Sequence, residues 1–286
     1  MQELSLKPLI GGRSMTDRKP YSRIDYRKDR FVQQTAASRA LEEINFVYEL
    51  AGQNQRPVNL AITGEGGAGK TSIVRHFLER ALVTHPEYSR FGFQLNISAF
   101  DLPPRVTRRK LLNCILNPKF PSEGNISLGK FAARAGELGI KLIVIDEFSE
   151  LQHTHKNYKH EVLHTIKWIG NNLRIPFIVS GTDGITTVFK DDLQMARRFN
   201  VIKLNYWNAG REFECFVYSY LKSLPGFEDI KDLPIAIFDT LLSVEARTTF
   251  DIVTTLGDAA HLAYANNDTQ NIHVYTQQIV EGRGHA

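Results

Sequence analysis

Eight consecutive residues, Gly64-Glu65-Gly66-Gly67-Ala68-Gly69-Lys70-Thr71, match the pattern G-x-x-x-x-G-K-[ST]. The chemistry of polyphosphate binding needs these types in this order. Glycines let backbone N–H groups turn inward around phosphate oxygens, the Lys70 ammonium neutralises the β and γ phosphates, and the Thr71 hydroxyl can ligate magnesium. Ser72 continues into the pattern SIVRHFLERAL, a helix whose N-terminus adds partial positive charge at the same phosphates. ATP with Mg2+ is the expected cofactor pair. A fortuitous glycine loop is the alternative, and the apolar run that leads into it, residues 58–63 (VNLAIT), counts against that.

A second element ends in two carboxylates: residues 141–145 (KLIVI) run straight into Asp146-Glu147. At a strand tip in a parallel sheet, Asp146 can hold magnesium through water while Glu147 polarises the water that attacks the γ-phosphate. An isolated Asp-Glu pair could equally open a helix. Beside a phosphate loop the hydrolytic reading is preferred. Three further sites are weaker. Thr182 in Ser180-Gly181-Thr182 could sense the γ-phosphate or cap a turn. Asn96, near the end of GFQLNI, could hold Glu147 inactive until a partner binds. Arg197 and Arg198 precede the run VIKL and could reach a nucleotide on a neighbouring subunit, or form an exposed basic turn.

The elements that must position these residues follow from periodicity. Apolar spacing predicts a helix over about 35–51. Buried strands are predicted at 58–63, 92–97, 141–145, 176–180 and 201–204, with helices between them at 108–116, 128–138 and 158–173. Alternating apolar strands and helices argue for a parallel sheet covered on both faces. After about residue 209 only helical patterns follow, around 210–224, 234–244, 249–265 and 271–280. The expected plan is therefore a basic N-terminal arm (1–34), an α/β domain (35–208) and a helical lid domain (209–286).

Composition narrows the class. The chain has 286 residues, 42% of them hydrophobic, enough for a full core. No apolar run is long enough for a membrane helix, and the first 30 residues lack the apolar centre of a secretory signal, so a cytoplasmic protein with no membrane partner is expected. Cys114 and Cys215 have no metal-type spacing and read as two buried thiols. Residues 1–30 hold eight basic and four acidic side chains, which accounts for the whole formal net charge of +4. Such an arm could meet a polyanion or a partner, or be a solvated leader. The histidines at 153, 155, 160 and 164 lack the acid that would complete a zinc protease motif and read as exposed or partner-contacting.

The segments LIVIDEFSELQ, HTIKWIGNNLRIPFIVSGTDG and DDLQMARRFNVIKLNYW together resemble the TniB/TnsC family of transposition ATPases, AAA+ proteins that include members from CRISPR-associated transposons. The resemblance runs from about residue 46 to 224. It implies an AAA+ P-loop NTPase with a parallel sheet flanked by helices and followed by a small helical lid. It also implies an Mg-dependent ATPase, not itself a transposase, that assembles as a homo-oligomeric ring or helical filament around double-stranded DNA. Its implied partners are a TniQ-like target selector and a DDE transposase. By the same resemblance Thr182 is the sensor 1 residue and Arg197 or Arg198 the arginine finger. The chain departs from the family at residues 245–251 (EARTTFD), where a glycine-containing turn and a lid arginine are expected. Asp251 stands near the arginine's place, and Arg247 is the possible substitute.

Residues 101–110 (DLPPRVTRRK) carry Arg105, Arg108, Arg109 and Lys110. A basic run is often a solvated helix face. In similar ATPases the loop and helix after this strand face a DNA channel, which makes these four the expected phosphate contacts, with Lys130 and Ser127 as weaker ones. Two rival functions share parts of the pattern: an AAA+ helicase loader or replication initiator, and a signalling NTPase that does not bind DNA.

Overall fold

The structure is a computed structural model of the chain and describes residues 21–32, 34–53, 56–84, 96–119, 121–190, 192–244 and 247–283. Two helices, α1 (Arg23–Arg27) and α2 (Thr35–Glu49), precede an alternating series. The series runs β1 (Asn59–Gly64), α3 (Lys70–Thr84), β2 (Ile97–Asp101), α4 (Arg108–Leu116), α5 (Leu128–Glu137), β3 (Leu142–Asp146), α6 (Lys156–Leu173), β4 (Phe177–Gly181), α7 (Gly184–Lys190), α8 (Leu193–Ala196) and β5 (Phe199–Leu204). Four helices close the chain: α9 (Arg211–Lys222), α10 (Ile235–Leu242), α11 (Thr249–Ala265) and α12 (Ile272–Arg283).

Among the described residues the strands form one parallel sheet in the order β2-β3-β4-β1-β5. Successive side chains of a strand point to opposite faces. On one face Ala61, Ile143, Ile145, Phe177, Val179 and Phe199 pack with α4, α5, α6 and α7. On the other, Leu60, Ile62, Leu142, Val144, Ile178 and Ile202 pack with α2 and α3. Both faces being covered, β1, β3 and β4 are buried along their whole length. Each fully buried Ile or Leu contributes about 1.5–3 kcal/mol, which is why these runs carry consecutive apolar residues rather than alternate ones.

β2 is the element that differs from expectation. The strand runs Ile97–Asp101, later than the predicted 92–97, of which residues 92–95 lie outside the described residues. Asn96 therefore precedes the strand, in a left-handed turn (φ 57°), and its carbonyl accepts the Lys141 N–H at 2.7 Å. The cysteine expectation also needs correcting: Cys114 is buried in α4, but Cys215 on α9 is exposed.

The C-terminal helices have their own core, built on Phe213, Val217, Leu221, Ile237, Leu241, Ile252 and Leu256, and Tyr26 of α1 belongs to it. Four of the basic residues of the leader, Lys7, Arg13, Arg18 and Lys19, lie outside the described residues. The other four are engaged within the chain. Arg23 and Arg27 both bind Asp258 of α11, as does Arg283 of α12. Arg30 donates to the Ser223 carbonyl, and Lys28 pairs with Asp25. Burial works to raise the Asp258 carboxyl, but the hydrogen bond and charge of Arg27, then those of Arg23, outweigh it and hold the group below its ordinary range.

A carboxylate depressed in the folded state contributes stability at neutral pH that is lost as pH falls through its folded value. Asp258→Asn should lower the unfolding free energy at neutral pH by about 2 kcal/mol, since it strands two arginines of α1 and one of α12. Denaturant titrations at neutral and acidic pH check this: the difference from the parent should shrink on acidification, and a pH-independent difference contradicts the assignment.

Candidate nucleotide-binding site

The phosphate loop spans the turn from β1 into α3, and its conformation needs glycine. Gly67 (φ 79°) and Gly69 (φ 97°) lie in the left-handed region, and a Cβ on Gly64 would sit 2.7 Å from the Leu204 carbonyl oxygen. Lys70 is buried, and its ammonium donates to the Gly64 and Glu65 carbonyls at 2.8 Å each. Burial lowers its pKa from the ordinary value, with the Glu147 and Asp146 carboxylates acting in the opposite direction.

The register of the sheet brings the acid pair to this loop. β3 and β1 flank β4, so the tip of β3 stands one strand away from the phosphate loop. Thr71 Oγ1 donates to Asp146 Oδ2 at 2.6 Å, and Ser180 Oγ at the tip of β4 donates to Asp146 Oδ1 at 2.6 Å. Thr71 and Asp146 thus present adjoining hard oxygens, a donor set suited to magnesium. Glu147 follows in the left-handed conformation (φ 53°, ψ 33°), which turns the chain out of the strand into the 3₁₀ turn Phe148–His153. Partial burial, and then the neighbouring Asp146 charge, raise the Glu147 pKa above its ordinary value; Lys70 opposes them, and Asp101 adds to the rise.

A cavity of about 900 Å3 joins these groups. Gly66, Gly67, Gly69, Lys70, Thr71 and Ser72 line one end, together with Glu147 and Thr182. Much of the remaining wall comes from elements the sequence reading did not assign to the site: Arg23, Arg27, Lys28, Asp29 and Arg30 of the leader, Phe31 and Val32 before α2, Arg75, His76 and Glu79 of α3, Phe216 and Tyr220 of α9, and Thr249, Phe250, Val253 and Thr254 of α11. Phe31 and His76 stack at 4.0 Å with 9° between their planes. A compartment with aromatic side chains, lined also by charged ones from the leader and α3, lies beside the glycine-lined one, and the two suit the two halves of a nucleotide. The one signal available for this was the apolar pair Phe31-Val32 inside a basic leader.

The other predicted positions fall as follows. Gly64, Glu65 and Ala68 form the rest of the loop, with the Ala68 N–H closing a turn on the Glu65 carbonyl at 3.2 Å. Thr182 lies on the cavity wall, its N–H held by Ser149 Oγ at 3.2 Å and its hydroxyl accepting the Gly184 N–H at 3.4 Å. The hydroxyl that touches Asp146 is that of Ser180, two residues earlier and fully buried. Asn96 is not in the site. It lies at the N-terminal end of β2, about 16 Å of strand away from the tip, and the residue at the tip beside Asp146 is Asp101. Arg197 and Arg198 sit at the N-terminal end of β5, the opposite edge of the sheet from the phosphate loop, so neither serves this chain's own cavity. Arg198 donates to Asn171 Oδ1 at 2.8 Å, whereas Arg197 is exposed. Arg105, Arg108, Arg109 and Lys110 are exposed at the phosphate-loop edge of the sheet, after the tip of β2, and Thr107 caps α4 there by accepting the Lys110 N–H. Lys130 is exposed at the start of α5, capped by Ser127, and lines a second cavity of about 430 Å3 with Asn113, Asn117 and Arg134.

Removing the Ser180 hydroxyl takes one of the two short side-chain donors from Asp146 while leaving the phosphate loop intact. Ser180→Ala should lower the rate of triphosphate hydrolysis about tenfold while moving KM less than about threefold. Steady-state kinetics check this; a large rise in KM at unchanged kcat would mean that Ser180 supports binding alone.

The geometry agrees with what the chain resembles among known proteins. The TniB family, described as Bacterial TniB protein, matches residues 23–209. No curated protein sequence matches the chain. Among solved structures, the Aeropyrum pernix ORC1 protein in complex with DNA aligns with a TM-score of 0.61 at 16% identity, covering 90% of this chain and 69% of that one. The Aeropyrum pernix ORC2 protein in its ADPNP-ADP complexes gives 0.60 at 11% identity, covering 90% and 70%. The Thermotoga maritima RuvB Holliday junction branch migration motor gives 0.50 at 13%, covering 87% and 70%. Identities this low speak to the fold, which is that of the AAA+ ATPases. With the family matching well over half of its length, and with the phosphate loop and acid pair assembled on that fold, the chain belongs to the TniB family and is an AAA+ ATPase.

Proposed function

We propose that the chain is an ATP-dependent, DNA-binding regulator of transposition. In this reading Mg-ATP, held by Lys70, Thr71 and Asp146 and cut with Glu147 as the base, controls assembly of the protein on double-stranded target DNA. The assembly then links a TniQ-like target selector to a DDE transposase. The single observation that carries the reading is the family match over residues 23–209, which spans the phosphate loop, the acid pair and the exposed basic segment together. The Aeropyrum ORC1 and Drosophila ORC structures, both of DNA complexes, support a DNA role on the same fold.

For DNA contact, the support is placement and charge. Arg105, Arg108, Arg109 and Lys110 crowd the first turn of α4 and the loop before it, at the edge of the sheet that also carries the nucleotide loop. Lys130 joins them as a weaker contact. Phosphate contacts of this kind release counterions, so affinity falls with salt in proportion to their number. For the oligomer, the support is the exposed Arg197 on a surface remote from its own cavity, with Arg198 tied to Asn171. We assign Arg197 as the group that completes a neighbouring subunit's site and Arg198 as its support. The C-terminal helices serve as the lid, and the arm as the strap that joins it to the nucleotide.

Two outcomes test these assignments. Fluorescence anisotropy on a labelled duplex, measured across salt concentrations, should show that Arg108→Ala/Arg109→Ala weakens binding and reduces the log–log salt slope by about 2; binding indistinguishable from the parent's rules out α4 as the DNA face. Arg197→Ala should reduce ATP turnover about a hundredfold or more while leaving nucleotide binding intact. Adding it in excess to subunits carrying Lys70→Ala should restore turnover in mixed assemblies, and failure of that complementation removes the trans role.

A further inference from the structure

The start of α11 is where an arginine of the lid would be expected to face the phosphates, and the two charged residues there do not. Asp251 is consumed by the helix cap: its carboxylate accepts from Thr248, and its N–H donates to Thr248 Oγ1. Arg247 is exposed, in the left-handed region (φ 47°), and is engaged through its carbonyl, which accepts the Trp207 N–H at 3.1 Å. The residues that α11 contributes to the cavity wall are Thr249, Phe250, Val253 and Thr254, all uncharged.

What meets the phosphate loop is the first turn of the helix itself. The Phe250 N–H, one of the donors a helix start leaves without an intrahelical acceptor, donates to the Gly67 carbonyl at 2.9 Å. Thr249 Oγ1 donates to the Ala68 carbonyl at 3.4 Å and accepts Trp207 Nε1–H at 3.3 Å. The fit is close: a Cβ on Gly67 would lie 2.8 Å from Thr248 Oγ1 and 2.9 Å from Phe250 Cβ. Trp207 is buried and stacks on Phe216 of α9 at 4.5 Å. One chain of contacts therefore runs from the Ala68 carbonyl of the phosphate loop, through Thr249 and Trp207, into the core of the C-terminal helices, with the Gly67 carbonyl held beside it by the Phe250 N–H.

Peptide planarity makes this chain responsive to phosphate. The Gly67 carbonyl shares a rigid plane with the Ala68 N–H, and the Ala68 carbonyl shares one with the Gly69 N–H. A phosphate that draws those N–H groups inward must turn the two carbonyls that Phe250 and Thr249 hold.

We propose that Thr249, held by Trp207, is a positioning residue for ATP turnover that carries the phosphate state of the loop to the lid through backbone carbonyls, in the role an arginine would otherwise fill. The proposal rests on the nucleotide reading of the phosphate loop, and the test separates the two. In a Trp168→Phe background Trp207 is the one tryptophan left. Its emission is followed during titration with Mg-ATP, alongside binding of a fluorescent ATP analogue and steady-state hydrolysis. With Thr249 present, emission should change saturably. Thr249→Val should bind the analogue within about threefold of the parent, lose the emission change, and drop kcat about tenfold at nearly constant KM. Thr249→Ser should restore both, and Arg247→Ala should alter neither. Should Trp168→Phe fail to fold, the kcat contrast between Thr249→Val and Thr249→Ser in the native background decides. Full signal and kcat in Thr249→Val, or loss of both in Arg247→Ala, overturns the proposal while leaving the nucleotide site standing. A parent protein that binds no analogue overturns both.

Discussion

The hydrogen bond from Thr71 to Asp146, 2.6 Å long, joins residues 75 positions apart in sequence, and the ATPase site exists only because the parallel sheet makes that contact possible. β1 delivers the phosphate loop, β3 delivers the acid pair, and β4 lies between them carrying Ser180, whose hydroxyl takes the other Asp146 oxygen. Three strand tips thus converge on one carboxylate. The apolar character of these strands follows from their burial on both faces, and a register slip would move the tips apart. Where the chain leaves the sheet abruptly around the site it takes left-handed conformations, at Gly67, at Gly69 and at Glu147, the one of the three that is not glycine.

The opposite half of the cavity is organised by the C-terminal helices and the leader together. Asp258 gathers Arg23 and Arg27 from α1 and Arg283 from α12, and Tyr26 fills the helical core beneath them. That leaves Phe31 and Val32 against the cavity, facing Phe216 and Tyr220. The arm, which in sequence could meet a polyanion or a partner or be a solvated leader, has its described basic residues bound to internal carboxylates and carbonyls, and Arg23, Arg27, Lys28 and Arg30 also line the cavity. The exposed cationic surface at the phosphate-loop edge is instead that of Arg105 to Lys110.

Much of this was legible in the sequence, for identifiable reasons. β1, β3 and β4 are short, mostly apolar runs, and the phosphate loop and acid pair sit at the ends of β1 and β3, so the fold class and the nucleotide chemistry could be read directly. Helices α4 and α5 were legible as helical segments between the apolar strands, and Thr107 and Ser127 cap them in the structure. β2 did not, because ISAFD mixes small and polar residues with one aromatic, while the preceding GFQLNI looks more strand-like than the segment that pairs with β3. That displacement by five residues put Asn96 at the wrong end of the sheet. Ser180 and Thr182 could not be separated from sequence, since both hydroxyls lie near one strand tip and two residues apart; what separates them is that β4 ends at Gly181, which leaves Ser180 in the strand beside Asp146 and Thr182 beyond it. Nor could the closing of the cavity by residues near 31, 216 and 250, since contacts across such separations carry no local pattern.

In the function proposed here, nucleotide chemistry at one edge of the sheet is coupled to DNA contact by α4 at that same edge and to a neighbouring subunit through Arg197 at the other. Electron microscopy of the purified protein on linear duplex DNA, with and without a slowly hydrolysed ATP analogue and with Lys70→Ala alongside, tests that union most directly. Ordered rings or filaments on DNA that require the analogue and are absent from Lys70→Ala are the predicted result. Protein that binds the analogue yet stays dispersed and leaves the DNA bare would contradict the account and favour a nucleotide switch that acts through protein contacts alone.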